Sequence, residues 1–193
     1  MSKIQINKEK GTIKLLEVRL SYPHLFAPWS KEEDGKKKYS GRFIMPNSTH
    51  EAENETLSEY LAKLKKEWFP KGGVKSEGLF HRDGGNEDKP ELEDAWYVAA
   101  SESMRPQIIG RRREVITESD DIVYAGCYGN VLIKPWKQDN TFGKKINANL
   151  IAFQFVRDGE RFGAERPDVN EEFEDVDEDD APKKRSRGGD GLD

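Results

Sequence analysis

The chain has 193 residues, 36% charged and 34% in the hydrophobic set, which bounds it to one domain with a modest core and appendages. Its net charge of −5 is unevenly spread: residues 165–193 hold 12 acidic and 5 basic side chains, leaving residues 1–164 weakly basic at +2. A single cysteine, Cys127, excludes an intrachain disulfide or a thiolate zinc cluster, and neither a signal-peptide pattern nor 18 successive apolar residues occurs, so a soluble intracellular chain without membrane contact is expected.

TIKLLEVRLS (12–21) and KKYSGRFIMP (37–46) have strand composition, with Tyr39, Phe43 and Met45 at even spacing. The next segment predicts a helix. Ser48 and Glu51 are spaced as a capping box, Leu57, Tyr60, Leu61, Leu64 and Trp68 form one apolar stripe, and Pro70, Gly72 and Gly73 end it. That stripe reads most simply as a helix packed on its own domain. Residues 78–94 are rich in turn formers and read as a long surface loop. AWYVAAS (95–101) predicts a strand, a short one is expected around IIGRRREVI, and two long ones over 125–136 and 144–158 are joined by a short turn. Pro135 places the first of that pair at a sheet edge or near its own end. From Glu165 onward too few apolar residues remain to offset an ordering entropy of about 1–2 kcal/mol per residue, so disorder is expected.

Strands with one helix and several Gly/Pro turns point to a small mainly β protein: a five-stranded, OB-fold-like barrel with long loops over residues 1–164, then an acidic tail over 165–193 that includes a basic KKRSR segment. The connections YPHLFAPWSKEEDGKKK and KQDNTFGK then stand where such barrels hold oligonucleotides. Both mix aromatics with lysines. Tyr22, Phe26 and Trp29 accompany Lys36, Lys37 and Lys38; Lys134, Trp136, Lys137 and Phe142 accompany Lys144 and Lys145. Bases stack on rings while ammonium groups follow phosphates, which needs this mixture. The plainer reading is that the rings cap the barrel end and the lysines are only solvated. Arg42, Arg105, Arg111 and Arg112 are further phosphate candidates, the last two in a run with Arg113 that equally suits a solvated turn.

The segments LSYPHLFAPW, KYSGRFIMP, RPQII and AGCYGNVLIKPWKQDNTFGKKINANLIAFQFVRDGERFG, followed by an acidic tail, resemble a phage family of single-stranded DNA-binding proteins. The resemblance covers most of residues 12–164 and is most specific over 125–163. It implies an OB-fold, sequence-tolerant binding of single-stranded DNA, and a tail that docks replication proteins such as a polymerase, helicase or recombinase. It places Trp136, Lys137, Lys144 and Lys145 at a DNA-facing hairpin, with Tyr22 and Phe26 on the same side. Host cytoplasm is the implied location, with a homodimer left open. In two respects the chain departs from common patterns: its helix follows the second apparent strand, and its tail ends KKRSRGGDGLD rather than in an acidic run closed by an aromatic.

Catalytic patterns are weak. HRD at 81–83 matches the kinase catalytic loop but lacks the accompanying glycine loop and strand lysine. Glu87, Asp88, Glu91, Glu93 and Asp94 would serve a metal-dependent nuclease only if they converged; as a charge run they read as solvated loop. His24, His50 and His81 lack ligand spacing, and Cys127 reads as a buried small residue on a strand. The expectation is a non-enzymatic protein without cofactor or metal. The rivals are that nuclease and an adaptor or DNA mimic acting through the acidic tail.

Overall fold

The computed structural model describes residues 1–163; the expected disordered tail of 165–193 lies outside the described residues. Eight strands and one long helix are present: β1 (Ile4–Asn7), β2 (Thr12–Trp29), β3 (Lys38–Pro46), α1 (Asn47–Trp68), β4 (His81–Asp83), β5 (Ala95–Glu102), β6 (Gln107–Ile109), β7 (Tyr128–Asn140) and β8 (Gly143–Arg157). Five of them close a ring in the order β2–β3–β5–β8–β7, every contact antiparallel except the parallel Ser101–Asn149 pairing that joins β5 to β8. The short strands β1, β4 and β6 flank β2, β5 and β8. The expected mainly β, five-stranded barrel with one helix is the fold observed.

The interior is filled by one face of each strand: Ile13, Leu15, Val18 and Leu20, Phe43 and Met45, Val98 and Ala100, Val131 and Ile133, and Ile146, Ala148, Leu150 and Phe153. Along β2 the buried positions change parity twice, from 13 and 15 to 18 and 20 and then to 25. Register shifts between Leu15 and Val18 and between Ser21 and His24 mark the changes, and Glu17 and Tyr22 there take φ of 54° and 48°. Such bulges let one strand bend around a small barrel. They also hide the strand's length: β2 runs on through Pro23 and Pro28 to Trp29, so Tyr22, Phe26 and Trp29 belong to a strand rather than to the expected loop, which is reduced to residues 30–37.

The second connection is shorter than expected for the same reason. β7 and β8 pair out to Asn140 and Gly143, leaving a turn of Thr141 and Phe142, and Gly143 has the φ of 119° that the reversal needs. Pro135 sits just past Ile133, the last β7 residue paired with β2, so on that side no strand stands opposite it, while on the other it pairs with Ala148 of β8.

The stripe on α1 packs as expected, with Leu57, Leu61 and Leu64 buried and Tyr60 and Trp68 against the core. The capping box does not form. The helix starts at Asn47, whose amide donates to the Asp94 carbonyl, and it kinks at His50, whose ring reaches the Leu16 carbonyl at 2.9 Å. These tertiary bonds outweigh the local Ser48–Glu51 exchange. The expected surface loop of 78–94 is also corrected: Phe80, His81 and Leu92 are buried, and HRD is β4, edging β5. Burial pushes the His81 imidazole down to about 4; it stacks on Trp96 and meets Asn54 Oδ1 at 3.0 Å. Cys127 is buried as expected, one residue before β7 rather than in it, and its thiol is pushed up by desolvation.

Candidate nucleic-acid interface

Alternation fixes which side chains face outward. His24, Ser40, Ser101, Asn149 and Lys134 are successive Cα partners across β2, β3, β5, β8 and β7. Their chain neighbours Leu25, Gly41, Ala100, Ala148, Leu150, Ile133 and Pro135 are buried, so this row lies on the outside of the barrel. Four strand intervals at about 4.8 Å give a path of about 19 Å around the barrel surface.

Aromatic rings stand at both ends of that path. Trp29 lies parallel to the His24 ring, centroids 4.7 Å apart, with half its surface open to solvent. Burial lowers the His24 pKa, which favours the neutral ring beneath that indole. At the other end Trp136 is two residues beyond Lys134 on the same face and pairs with Asn147, while Asn147 Nδ2 donates to Gln138 Oε1 at 2.7 Å. Between the tryptophans the floor consists of small polar groups, Ser40, Ser101, Asn147 and Asn149, which leave room for a ligand and offer donors and acceptors of no fixed pattern.

A second cluster lies beside this row. Arg42, two residues from Ser40, sits 5.2 Å from the Tyr22 ring and 5.0 Å from the Tyr97 ring, and it pairs with Glu87 at 3.0 Å. Lys89 donates to the Tyr22 hydroxyl and lies over its ring. Burial would push the Glu87 carboxyl up, but the Tyr97 hydroxyl that donates to it and the Arg42 guanidinium prevail and hold it below the usual range. The Tyr97 phenol is raised, first by burial and then by that carboxylate. Glu87 is thus committed to Arg42 and Tyr97, and among the described residues no three His, Cys, Asp or Glu side chains are grouped to hold a metal ion.

The sixteen expected contact residues divide. Tyr22, Trp29, Lys38, Arg42, Lys134, Trp136 and Lys145 share the outer face. Arg105 is joined to its edge by donating to the Phe26 carbonyl at 2.8 Å, while the Phe26 ring itself packs against the core. Lys36 and Lys37 are exposed in the 30–37 loop, and Phe142 is exposed at the hairpin tip. Lys137 and Lys144 have the opposite parity to Lys145: Lys137 lies 4.9 Å over Phe69, and Lys144 runs beside Gly73, both at the loop after α1. Arg111 and Arg112 occupy the turn after β6, off the row. His24, Ser40, Ser101, Asn147, Asn149, Lys89 and Tyr97 escaped the sequence reading. For His24, Ser40, Ser101, Asn147 and Asn149 the only sequence signal is polar residues at alternate strand positions, which barrel closure collects. Lys89 lies in the turn-rich stretch before β5, and Tyr97 is a buried aromatic of β5.

A closed five-stranded barrel whose outer face carries aromatics and cations at the ends of two strand pairs is the architecture of the OB-type oligonucleotide-binding barrels. The chain belongs to the family described as "Enterobacter phage Enc34, ssDNA-binding protein", whose profile matches residues 11–182. The solved structure of the single-stranded DNA-binding protein from bacteriophage Enc34 in complex with ssDNA is 38% identical, with a TM-score of 0.75 over 84% of this chain and 95% of that one. "Putative protein p50" of Acyrthosiphon pisum secondary endosymbiont phage 1 is 32% identical over 85% of this chain and 93% of its own length. The gp2.5 single-stranded DNA-binding protein of bacteriophage T7, 14% identical with a TM-score of 0.53 over 84% of this chain and 94% of that one, shares the fold.

Proposed function

We propose that this chain binds single-stranded DNA without catalysis, the strand lying along the outer row from Trp29 and His24 to Lys134 and Trp136. The observation that carries the reading is that row: two solvent-facing indoles joined by a floor of small polar side chains and bordered by cations. Stacking on both rings with phosphates near Lys38, Arg42, Lys134 and Lys145 accounts for sequence-tolerant binding. Membership of the Enc34 family supports it. In this reading the protein coats single strands in the host cytoplasm during phage replication or recombination, and the acidic segment of residues 165–180 docks proteins of that machinery. Titrating oligo-dT against intrinsic tryptophan fluorescence at several salt concentrations tests the core claim. Absence of any affinity would leave the adaptor reading, and release of labelled fragments with Mg²⁺ would restore the nuclease.

The two faces of the hairpin make separate predictions. Lys134→Ala with Lys145→Ala should lower the slope of log affinity against log salt by about 1.4, since each phosphate contact on a single strand contributes about 0.7. Lys137→Ala with Lys144→Ala, on the side facing the loop after α1, should lower it less. A larger change from the second pair would put the strand on the other side of the hairpin.

Glu87 occupies the place beside Arg42 and Lys89 that a phosphate would take. Glu87→Gln should therefore tighten oligo-dT binding at low salt. The Arg42–Glu87 pair is about a third exposed, so solvent screening limits the gain to roughly two- to five-fold. The advantage should vanish as salt rises. Unchanged or weaker binding by the variant at low salt would place Arg42 off the DNA path.

A further inference from the structure

Cations and rings alternate across the outer face well beyond the two tryptophans. From Lys89 the order runs through Tyr22, Arg42 and Tyr97, then to Phe162, which packs against the Ile44–Leu92–Tyr97 cluster. It continues through Arg19, 4.1 Å from the Phe162 ring and 5.5 Å from the Tyr128 ring, to Arg157, 3.7 Å from the Tyr128 ring. Tyr97, Ile44, Arg19, Tyr128 and Arg157 are successive Cα partners across β5, β3, β2, β7 and β8, so this is a second lateral row of the barrel. Arg161 stacks 4.4 Å over Tyr124 beside its far end.

The two ends of this row differ in how their cations are paired, although Asp158, which accepts from the Tyr124 hydroxyl at 3.0 Å, and Glu160 lie between Arg157 and Arg161 in the chain. Arg42 and Lys89 share the Glu87 carboxylate. Arg19, in the middle, is committed to the carbonyls of Gly126 and Glu160. Arg157 and Arg161 are exposed, and among the described residues neither has a carboxylate within ion-pair distance. A guanidinium laid on a ring has already lost much of its rotamer freedom and presents its N–H edge outward, which suits bidentate contact with a phosphate.

We propose that Arg157 and Arg161, held on Tyr128 and Tyr124, form a second contact segment for the same single strand, taking the phosphates of nucleotides beyond those between Trp29 and Trp136. The proposal rests on the interface described above. The two rows are four residues apart on β3, at Ser40 and Ile44, and eight apart on β8, at Asn149 and Arg157. They therefore lie about 13 Å from each other at β3 and about 26 Å at Arg157, a span that one continuous strand of several nucleotides covers. Both rows lie on the outside of the barrel, and their common mixture of rings and cations favours DNA over an acidic protein as the ligand.

Length dependence tests it. Oligo-dT of about 6 and about 20 nucleotides brackets the span of roughly 4–16 nucleotides that single barrels cover. Arg157→Gln with Arg161→Gln should bind the short oligonucleotide like the parent and the long one more weakly, with a salt slope on the long one lower by about 1.4. Arg157→Lys with Arg161→Lys keeps the charge and should recover most of that slope. Parent-like behaviour of the glutamine variant on both lengths would overturn the proposal, as would an equal loss on both, the mark of a disturbed fold or main row. A parent that bound neither length would overturn the interface itself, which the parent curves alone reveal.

Discussion

Replacing Trp29 and Trp136 together by alanine should weaken oligo-dT binding by about 2–6 kcal/mol, on the basis of about 1–3 kcal/mol for each base stacked on an aromatic side chain. The two rings stand at opposite ends of an outer row of polar residues, far enough apart for their effects to add. Each single variant should lose about half of the total. Neither ring fills the barrel interior, Trp29 being half exposed and Trp136 more than a third, so the folded spectrum and melting temperature should stay close to the parent's. The fluorescence quench on binding should shrink in each single variant and disappear in the double one if no other tryptophan meets DNA. Trp68 and Trp96 serve as internal controls, since the first packs on the core and the second stacks on His81. A double variant that binds like the parent would remove the row from the DNA path.

Phe153→Ala should cost about 3–5 kcal/mol of stability, a large share of the 5–15 kcal/mol typical of whole domains. Phe153 is fully buried, its ring 6.0 Å from that of Phe43 across the barrel. Its backbone faces Val131 of β7 on one side and Ile108 of β6 on the other, so the cavity would open where three strands meet. The neighbouring glycine shows how closely that space is filled: a Cβ on Gly129 would lie 2.2 Å from Phe153 Cζ. With so little freedom to collapse, the site should retain most of the void. The melting temperature should fall by roughly 6–20 °C for a chain of this size. Urea unfolding provides the free energy directly, and a loss under about 1 kcal/mol would mean that the ring is not a core element.

Interior composition and the helix were legible in the sequence because each follows from local periodicity. Leu57, Leu61 and Leu64 recur at helical spacing, and Phe43 and Met45 alternate at strand spacing, whatever they pack against. Aromatics among lysines in two segments likewise marked Trp29, Lys38, Lys134, Trp136 and Lys145 without any fold. Two features misled the local reading. The bulges at Glu17 and Tyr22 break the alternation of β2, so one strand of 18 residues looks like a shorter strand and a loop. The polar stretch of 78–94 conceals Phe80, His81 and Leu92, which are buried only because β4 edges β5.

What the sequence determined by itself was therefore the kind of surface and the kind of core, since hydropathy period and side-chain chemistry are properties of neighbours along the chain. Which of those side chains share a face was decided by tertiary structure alone. Lys144 and Lys145 are adjacent in sequence and fall on opposite sides of the hairpin, because successive residues of a strand alternate. Ser40, Ser101 and Asn149 are separated by dozens of residues and become one floor through a single parallel pairing, Ser101 with Asn149, that closes the barrel. Closure is a contact between residues remote along the chain, and it depends on register summed over five strands and the bulges that shift it, information that no local window contains.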